Sequence, residues 1–224
     1  MLIEKDNGEF VKEHSFSVPF SPQIYQSVFT SSDLKILQEL AENSRKSSKV
    51  GEKLSGNIQE QRDADNISQE VLSILAPHIQ EYVKFETEHK KKYYNQSNQW
   101  KWGDFDYRKL NFSIDGIWFN YMTKNEFNPL HRHSGLISGI LMIKVPKELS
   151  QEPITIPLES NARCPGMLEW VNTGFGAGFY RKYPVEGEIY LFPAELKHQV
   201  YPFASDVERI TASFNISEIN FGQD

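Results

Sequence analysis

The chain has 224 residues, of which 39% are apolar and 13% aromatic, and its formal net charge is −6. This composition supports a sizeable core and excludes global disorder, and the acidic balance argues against non-specific nucleic-acid binding. No apolar run reaches the ~18 residues that a membrane span needs, and no signal-peptide-like segment stands at the N-terminus. The single cysteine, Cys164, cannot form an internal disulfide. We therefore expect a soluble, cytoplasmic protein.

The N-terminal half carries the predicted helices. The segment TSSDLKILQELAENS predicts a first helix, capped by Ser31 or Ser32, because its apolar residues recur every three or four positions. A polar, glycine-containing stretch at 44–62 predicts a loop. A longer helical pattern runs from residue 65 to about 92, and Pro77 inside it predicts a kink or a break.

The C-terminal half has the pattern of a β structure. Short apolar and aromatic segments follow one another, each bounded by Gly, Pro, Asn or Asp, with no evident helix between them. These segments are KLNFSIDGIWFNYMT, GLISGILMIKV, PITIPL, GMLEWV, GEIYLFPA and ERITASFNIS. Such a series predicts an antiparallel sandwich or barrel. We expect one α+β domain over 1–224, with supporting helices in 1–105 and the β core in 106–224.

Three histidines are candidates for a metal site. His131 and His133 would share one face of an extended segment, and His198 follows a tight turn after a later strand. Neutral imidazole binds Fe, Zn, Ni and Cu well, and three protein ligands leave coordination positions open, as in catalytic metal sites. The alternative is that these are ordinary hydrogen-bonded histidines, because an HxH pair also arises by chance.

Arg209 is the fourth candidate residue. Strand alternation places Arg209, Thr211 and Ser213 on one face of ERITASFNIS. A guanidinium that faces a barrel interior is costly unless it meets an anion, and arginine is suited to a bidentate contact with a carboxylate. The alternative is a surface arginine on an edge strand, paired with Glu208 or Asp206.

Together these residues resemble the motifs of a known family. The segments FNYMTKNEFNPLHRHSGLISGILMIKVP and GEIYLFPAELKHQVYPFASDVERITASFN carry an HxH pair, a PxxxxH motif and an Arg-x-Thr motif. In this order they are similar to the 2-oxoglutarate- and Fe(II)-dependent dioxygenases. In particular they resemble a bacterial and phage group of oxygenases that is related to the prolyl hydroxylases and phytanoyl-CoA hydroxylases. It covers roughly residues 117–215.

The resemblance implies a double-stranded β-helix, or jelly-roll, core. It also implies hydroxylation of an unidentified small-molecule or protein substrate, with release of succinate and CO2. The implied cofactors are Fe(II) and 2-oxoglutarate, with ascorbate as a further candidate. The residues that it assigns are His131, His133 and His198 as metal ligands, and Arg209, Thr211, Asn120 and Ser138 as residues of the 2-oxoglutarate pocket.

Two positions depart from the wider superfamily. Most members have a carboxylate as the second ligand, but His133 stands at that position here. The resembled group also has a histidine there. The aromatic residue expected shortly after the SG pair is Met142. A three-histidine site leaves the charge of the metal unbalanced by any protein carboxylate.

Other functions stay open at this level. The spacing from Gly187 through Pro193 to His198 is similar to a cupin motif, and a cupin would share the barrel but lack the arginine clamp. A non-catalytic jelly-roll binding or structural protein is a second alternative. The lysines and aromatics of 90–102 are candidates for nucleic-acid contact, although such runs are more often solvated helix ends. The glycine-rich stretch 173–182 predicts a mobile loop over the site.

Overall fold

The computed structural model describes residues 2–4, 10–12, 15–17, 23–94, 106–155, 164–172 and 178–221. In chain order, its elements are β1 (Leu2–Glu4), β2 (Phe10–Lys12), β3 (Ser15–Ser17), β4 (Ile24–Val28), α1 (Ser31–Ser44), β5 (Gln61–Asp63), α2 (Gln69–Tyr94), β6 (Leu110–Met122), β7 (Asn128–His131), β8 (Ile137–Lys144), α3 (Lys147–Thr155), β9 (Leu168–Val171), β10 (Phe179–Lys182), β11 (Glu188–Pro193), β12 (Lys197–Val200) and β13 (Arg209–Phe221). Short 3-10 helices cover Gly51–Lys53 and Tyr107–Lys109. None of the helices in these described ranges combines the length and the apolar character that crossing a membrane requires.

Two antiparallel sheets form the centre of the fold. The larger sheet has seven strands in the order β3-β4-β11-β8-β13-β6-β5, and the smaller has four in the order β10-β9-β12-β7. Trp170 of the smaller sheet packs against Tyr190 and Phe192 of the larger one, with ring centroids 5.4 and 5.6 Å away. The two sheets therefore pack face to face around an inner layer of side chains, which is the α+β sandwich that the sequence predicts.

The main hydrophobic core lies on the other face of the larger sheet, where α1 and α2 cover it. Leu37 of α1 and Leu75 of α2 are fully buried there with Phe214 of β13. Each buried side chain of this size stabilises the fold by about 1.5–3 kcal/mol. Gly139 of β8 is part of this packing, because a Cβ at that position would lie 2.2 Å from the Phe214 ring.

Both predicted helices are present, with differences at their ends and at the proline. Thr30, rather than Ser31 or Ser32, caps α1, and its hydroxyl accepts a hydrogen bond of 3.1 Å from the backbone N–H of Asp33. The second helix runs through Pro77 as one element. Leu75 and its neighbours on the buried face pack on the sheet, and this tertiary contact holds the turns on either side of the proline.

The predicted strand PITIPL is wrong at its start, because residues 153–155 belong to α3. Leu149 and Glu152, three positions apart, are both buried, which is the spacing of a helix rather than a strand. The Glu152 carboxylate accepts hydrogen bonds of 2.9 Å from the backbone N–H groups of Ala204 and Ser205. These contacts fix α3 against the loop that leads into β13.

The N-terminal segment supplies strands as well as helices. β3 and β4 extend one edge of the larger sheet, and β5 extends the other. β5 begins inside the predicted loop 44–62, and its register brings Gln61 opposite Asn120 of β6. The predicted mobile loop 173–182 ends in β10, while residues 173–177 and 95–102 lie outside the described residues.

Candidate active site

A cavity of about 280 Å³ lies between the two sheets. The smaller sheet contributes β7 and β12, and the larger contributes β6 and β13. All but one of the residues that the sequence assigns to the site line this cavity: His131, His133, His198, Arg209, Thr211 and Asn120. The exception is Ser138. The structure thus brings together two sets of candidates that lie on different sheets.

The three histidines form one cluster. His131 at the end of β7 is the register partner of His198 on β12. His133 lies two residues beyond the end of β7, so only His131 of the HxH pair is on the strand. The backbone N–H of His133 donates to the carbonyl of Ala194 at 2.9 Å, and this bond fixes the turn after β7 against the end of β11. The candidate ligand nitrogens of the three rings lie within 4.8 Å of one another.

Backbone carbonyls orient two of the rings. The Nδ1 of His131 lies 2.7 Å from the carbonyl oxygen of Pro129, and the Nδ1 of His198 lies 3.0 Å from that of Leu196. Because a carbonyl only accepts, each Nδ1–H must donate, and each Nε2 keeps its lone pair. The Nε2 of His133 lies 3.2 Å from the Nε2 of His198. This arrangement fits a metal ion, which binds the nitrogen opposite a hydrogen-bonded N–H.

Burial keeps these imidazoles neutral. Desolvation, with the neighbouring His131 as a smaller cause in the same direction, lowers the pKa of His133 to about 4 and that of His198 to about 3. Desolvation also lowers the pKa of His131. A neutral imidazole is the form that binds a metal, so the cluster is in its ligating form at neutral pH.

Arg209 is buried without a carboxylate partner among the described residues. Its side chain is 2% exposed, one Nη donates to the carbonyl of Gly166 at 2.6 Å, and the other faces the sulfur of Met122 at 2.9 Å. Its Nε has no hydrogen-bond partner. Burial lowers the pKa of Arg209 to about 10, so the guanidinium stays charged at neutral pH. The cavity therefore contains an unbalanced positive charge.

The surface alternative for this arginine is wrong. Glu208, the carboxylate next to it in the chain, pairs instead with Arg45 of the segment after α1, at 2.7 Å. The predicted alternation along β13 is confirmed, because Arg209, Thr211 and Ser213 line the cavity while the residues between them belong to the main core.

A chain of polar side chains crosses the cavity wall from β5 to β13. The Gln61 amide donates to the Asn120 Oδ1 at 2.7 Å, and the Asn120 amide donates to the hydroxyls of Thr211 and Ser213 at 3.3 and 3.4 Å. Because Thr211 accepts in this chain, its own O–H is available to donate to a ligand in the cavity. Gln61 Oε1 is buried with no partner of its own.

Ser138 and Met142 do not line the cavity. Ser138 donates to the Asn215 Oδ1 at 2.8 Å, and it is Asn215 that reaches the cavity. Met142 is fully buried between the two sheets with Trp170 and Tyr190. The departure from an aromatic residue at this position thus affects the packing between the sheets, while Ile140 of the same strand lines the cavity.

Sequence reasoning missed several lining residues. Trp118 of β6 lies with its ring centroid 5.8 Å from that of His133, and it could have been found by alternation from Asn120. Gln61 could not, because its position depends on the pairing of β5. Lys53 and Arg132 also line the cavity and are both exposed. Arg132 stands between the two histidines of the HxH pair.

Comparison with known families matches the C-terminal part of the chain. Residues 116–215 match the family described as "Putative 2OG-Fe(II) oxygenase". This range contains all the candidate site residues that the motifs assign. No curated protein matches the sequence significantly.

Solved structures show the same fold at low identity. A prolyl hydroxylase from Trichoplax adhaerens, solved with a hypoxia inducible factor peptide, is 13% identical, with 87% of this chain and 82% of that chain covered and a TM-score of 0.52. HygX from Streptomyces hygroscopicus, solved with nickel, 2-oxoglutarate and hygromycin B, is 11% identical, with the same coverages and TM-score. An oxidoreductase of the 2OG-Fe(II) oxygenase family from Burkholderia pseudomallei is 10% identical, with coverages of 87% and 84% and a TM-score of 0.50. The predicted double-stranded β-helix fold is thereby confirmed.

Proposed function

We propose that the chain is a 2-oxoglutarate- and Fe(II)-dependent oxygenase, an oxidoreductase, in line with the family match over residues 116–215, and that it holds Fe(II) on its three histidines and 2-oxoglutarate against Arg209. One observation carries this proposal. The ligand nitrogens of His131, His133 and His198 converge in the same cavity as a buried guanidinium that has no carboxylate partner among the described residues.

The histidine cluster suits the metal. Two Nδ1–H groups are fixed on backbone carbonyls, so the Nε2 lone pairs of His131 and His198 are directed by the strands that carry them. Three neutral ligands leave the charge of the ion to be balanced by the cosubstrate carboxylate. When bound together, Fe(II), 2-oxoglutarate and O2 supply the oxidising chemistry, which yields succinate, CO2 and a hydroxylated substrate.

Arg209 suits the far carboxylate of 2-oxoglutarate. The Gly166 carbonyl fixes one side of its guanidinium, and the unpartnered Nε is a donor that still needs an acceptor. The Thr211 hydroxyl lies on the same face of β13 and can donate to the same carboxylate. Asn120 positions that hydroxyl, and Ser138 acts only through Asn215. The strength of such charge-assisted bonds in a buried site makes Arg209 the main determinant of cosubstrate affinity.

The proposal is tested with purified protein and two measurements. Thermal unfolding is followed with Mn(II), with 2-oxoglutarate, and with both, and we expect the metal alone to raise the unfolding temperature and 2-oxoglutarate to increase the shift to about 5–10 °C when both are saturating. Succinate and CO2 are then measured with Fe(II) and O2. A metal-dependent shift that 2-oxoglutarate does not increase would favour a cupin-type metal protein. Absence of any shift would favour a non-catalytic jelly roll.

Two further points belong to this proposal. Ascorbate is proposed only as the reductant that keeps the iron as Fe(II), so the assay is run with and without it. We also propose a cytoplasmic location, which is supported by the single cysteine and by the reducing conditions that Fe(II) needs.

A further inference from the structure

We propose that the substrate is a small organic anion, with a carboxylate or phosphate group that Lys53 and Arg132 bind at the mouth of the cavity. The inference rests on the proposed function, because it places the substrate next to the metal and the bound 2-oxoglutarate. It adds what the motifs leave open, namely the chemical class of the substrate and the residues that select it.

The first observation is that the described part of the cavity wall carries a net positive charge. The described residues that line the cavity include three cations, Lys53, Arg132 and Arg209, and no aspartate or glutamate. The chain as a whole has the opposite balance, with 30 acidic and 24 basic residues. A wall of one sign, enclosed by low-dielectric protein, concentrates ligands of the other sign.

The second step is that Lys53 and Arg132 have no partner among the described residues. Three other arginines, Arg45, Arg62 and Arg181, each form an ion pair with a glutamate. Arg132 and Lys53 form none within the described part of the chain, although both are exposed at the edge of the cavity. Their charges are therefore available to a ligand.

The third step is that 2-oxoglutarate does not neutralise these two residues. A divalent metal and Arg209 together carry three positive charges, and the dianionic cosubstrate offsets two of them. Histidines that bind a metal do so as neutral imidazoles, so the three ligands add no charge. Lys53 and Arg132 thus add to a site that is still positive when it is loaded, so a neutral or cationic substrate would leave that charge uncompensated.

The segment that carries Lys53 is anchored to the β core. The backbone N–H of Asn57 donates to the carbonyl of Phe127 at 2.9 Å, and that of Gln59 donates to the buried carboxylate of Glu126 at 2.8 Å. These bonds attach the segment to Glu126 and Phe127, which directly precede β7, and β7 in turn leads to Arg132. The segments that carry the two cations are therefore joined by backbone hydrogen bonds, and both cations line the same cavity.

The remaining wall at this edge suits a small organic body. Trp118 offers an aromatic face beside His133, and Leu54 and Ile58 add apolar contact. A cavity of about 280 Å³ is slightly smaller than the roughly 300–1,000 Å³ that is typical of small-molecule sites, and part of it is needed for 2-oxoglutarate. This size favours a small carboxylic acid or phosphate ester over a larger ligand.

The test uses protein loaded with Co(II) and 2-oxoglutarate, and matched probes that differ in charge. The pairs are benzoate against benzamide, and glycerol 3-phosphate against glycerol. Paramagnetic relaxation of the probe protons by Co(II) measures binding near the metal, and the 2-oxoglutarate signals show whether the cosubstrate stays bound. We expect the anionic member of a pair to bind at least about fivefold more tightly, and less so at high salt. The pair with the larger effect distinguishes carboxylate from phosphate.

Charge-removing variants assign the effect to residues. Lys53→Gln and Arg132→Gln should each weaken the binding of the anionic probe by about fivefold. Lys197→Gln is the matched control, because this exposed lysine adjoins His198 in the chain but does not line the cavity. Each variant is first checked for the thermal shift with metal and 2-oxoglutarate.

The outcomes separate the two proposals. Wild-type protein that shows no shift with metal and 2-oxoglutarate overturns the proposed function and this inference with it. A normal shift with equal binding of charged and neutral probes overturns this inference alone. An anion preference that survives in the Lys53→Gln, Arg132→Gln double variant would mean that the metal itself attracts the probe, and would also overturn the role of these residues.

Discussion

His131 and His198 are register partners on adjacent strands, and each donates its Nδ1–H to the backbone carbonyl two residues before it in the chain. The acceptors, Pro129 and Leu196, belong to the same segments as the histidines that they orient. The ring positions are therefore built into β7 and the turn before β12, and they require no distant side chain. Such a pair of rings is pre-organised for a metal.

The first prediction follows from this geometry. His131→Ala and His198→Ala should each weaken metal binding by at least about 100-fold, because first ligands contribute more than the outer partners whose loss costs about 10–100-fold. Metal affinity is measured by titration calorimetry with Mn(II). His89→Ala is the matched control, since this histidine lies on α2 and does not line the cavity. Unchanged affinity in both site variants would contradict the assignment of the cluster as the metal site.

The second prediction concerns His133, the ligand on the turn after β7. Replacement by alanine should weaken metal binding, whereas His133→Asp should retain it, because a carboxylate is the usual second ligand in the wider superfamily and also offsets the charge of the ion. Competition between Fe(II) and Zn(II) is the measurement. If the alanine and aspartate variants bind the metal with equal affinity, His133 only lines the cavity and is not a ligand.

The third prediction separates metal from cosubstrate. Arg209→Met should keep metal binding and weaken the affinity for 2-oxoglutarate by at least about 30-fold, since truncating one partner of a buried charge pair costs about 2–5 kcal/mol. Arg209→Lys keeps the charge but loses the planar fork, so its affinity should lie between those of wild type and Arg209→Met. Binding is measured on protein loaded with Mn(II). Loss of metal in Arg209→Met would contradict the separation.

The fourth prediction concerns the effect of Arg209 on the stability of the ligand-free protein. Burial lowers its pKa from the ordinary value of arginine to about 10, which corresponds to roughly 3 kcal/mol of unfavourable burial of charge. The folded-state pKa is below the unfolded one, so this cost is fully present below pH 10 and is relieved only as the pH rises above it. Arg209→Met should therefore unfold at higher denaturant concentration than wild type at neutral pH without ligand. Lower stability of this variant would show that packing of Arg209 outweighs its charge.

The sequence was sufficient for the parts of the site that a single strand defines. Alternation along β13 places Arg209 and Thr211 on one face, and this holds because every second residue packs into the main core. It was insufficient where position depends on distant pairing. Gln61 reaches the cavity only because β5, three polar residues long, pairs with β6. Ser138 was wrongly assigned to the cavity wall, because alternation does not show that Asn215 lies between Ser138 and the cavity.

Gln61 is the subject of the last prediction, because it joins the N-terminal segment to the wall of the cosubstrate pocket. Its amide holds Asn120, which in turn holds the Thr211 hydroxyl, so Gln61→Ala should weaken 2-oxoglutarate by a few-fold without changing metal affinity. Asn120→Ala should have a larger effect, since it removes the direct contact. If Gln61 acts through Asn120, the double variant should be no worse than Asn120→Ala alone. Additive losses in this cycle would mean that Gln61, through its unpartnered Oε1, contacts a ligand directly.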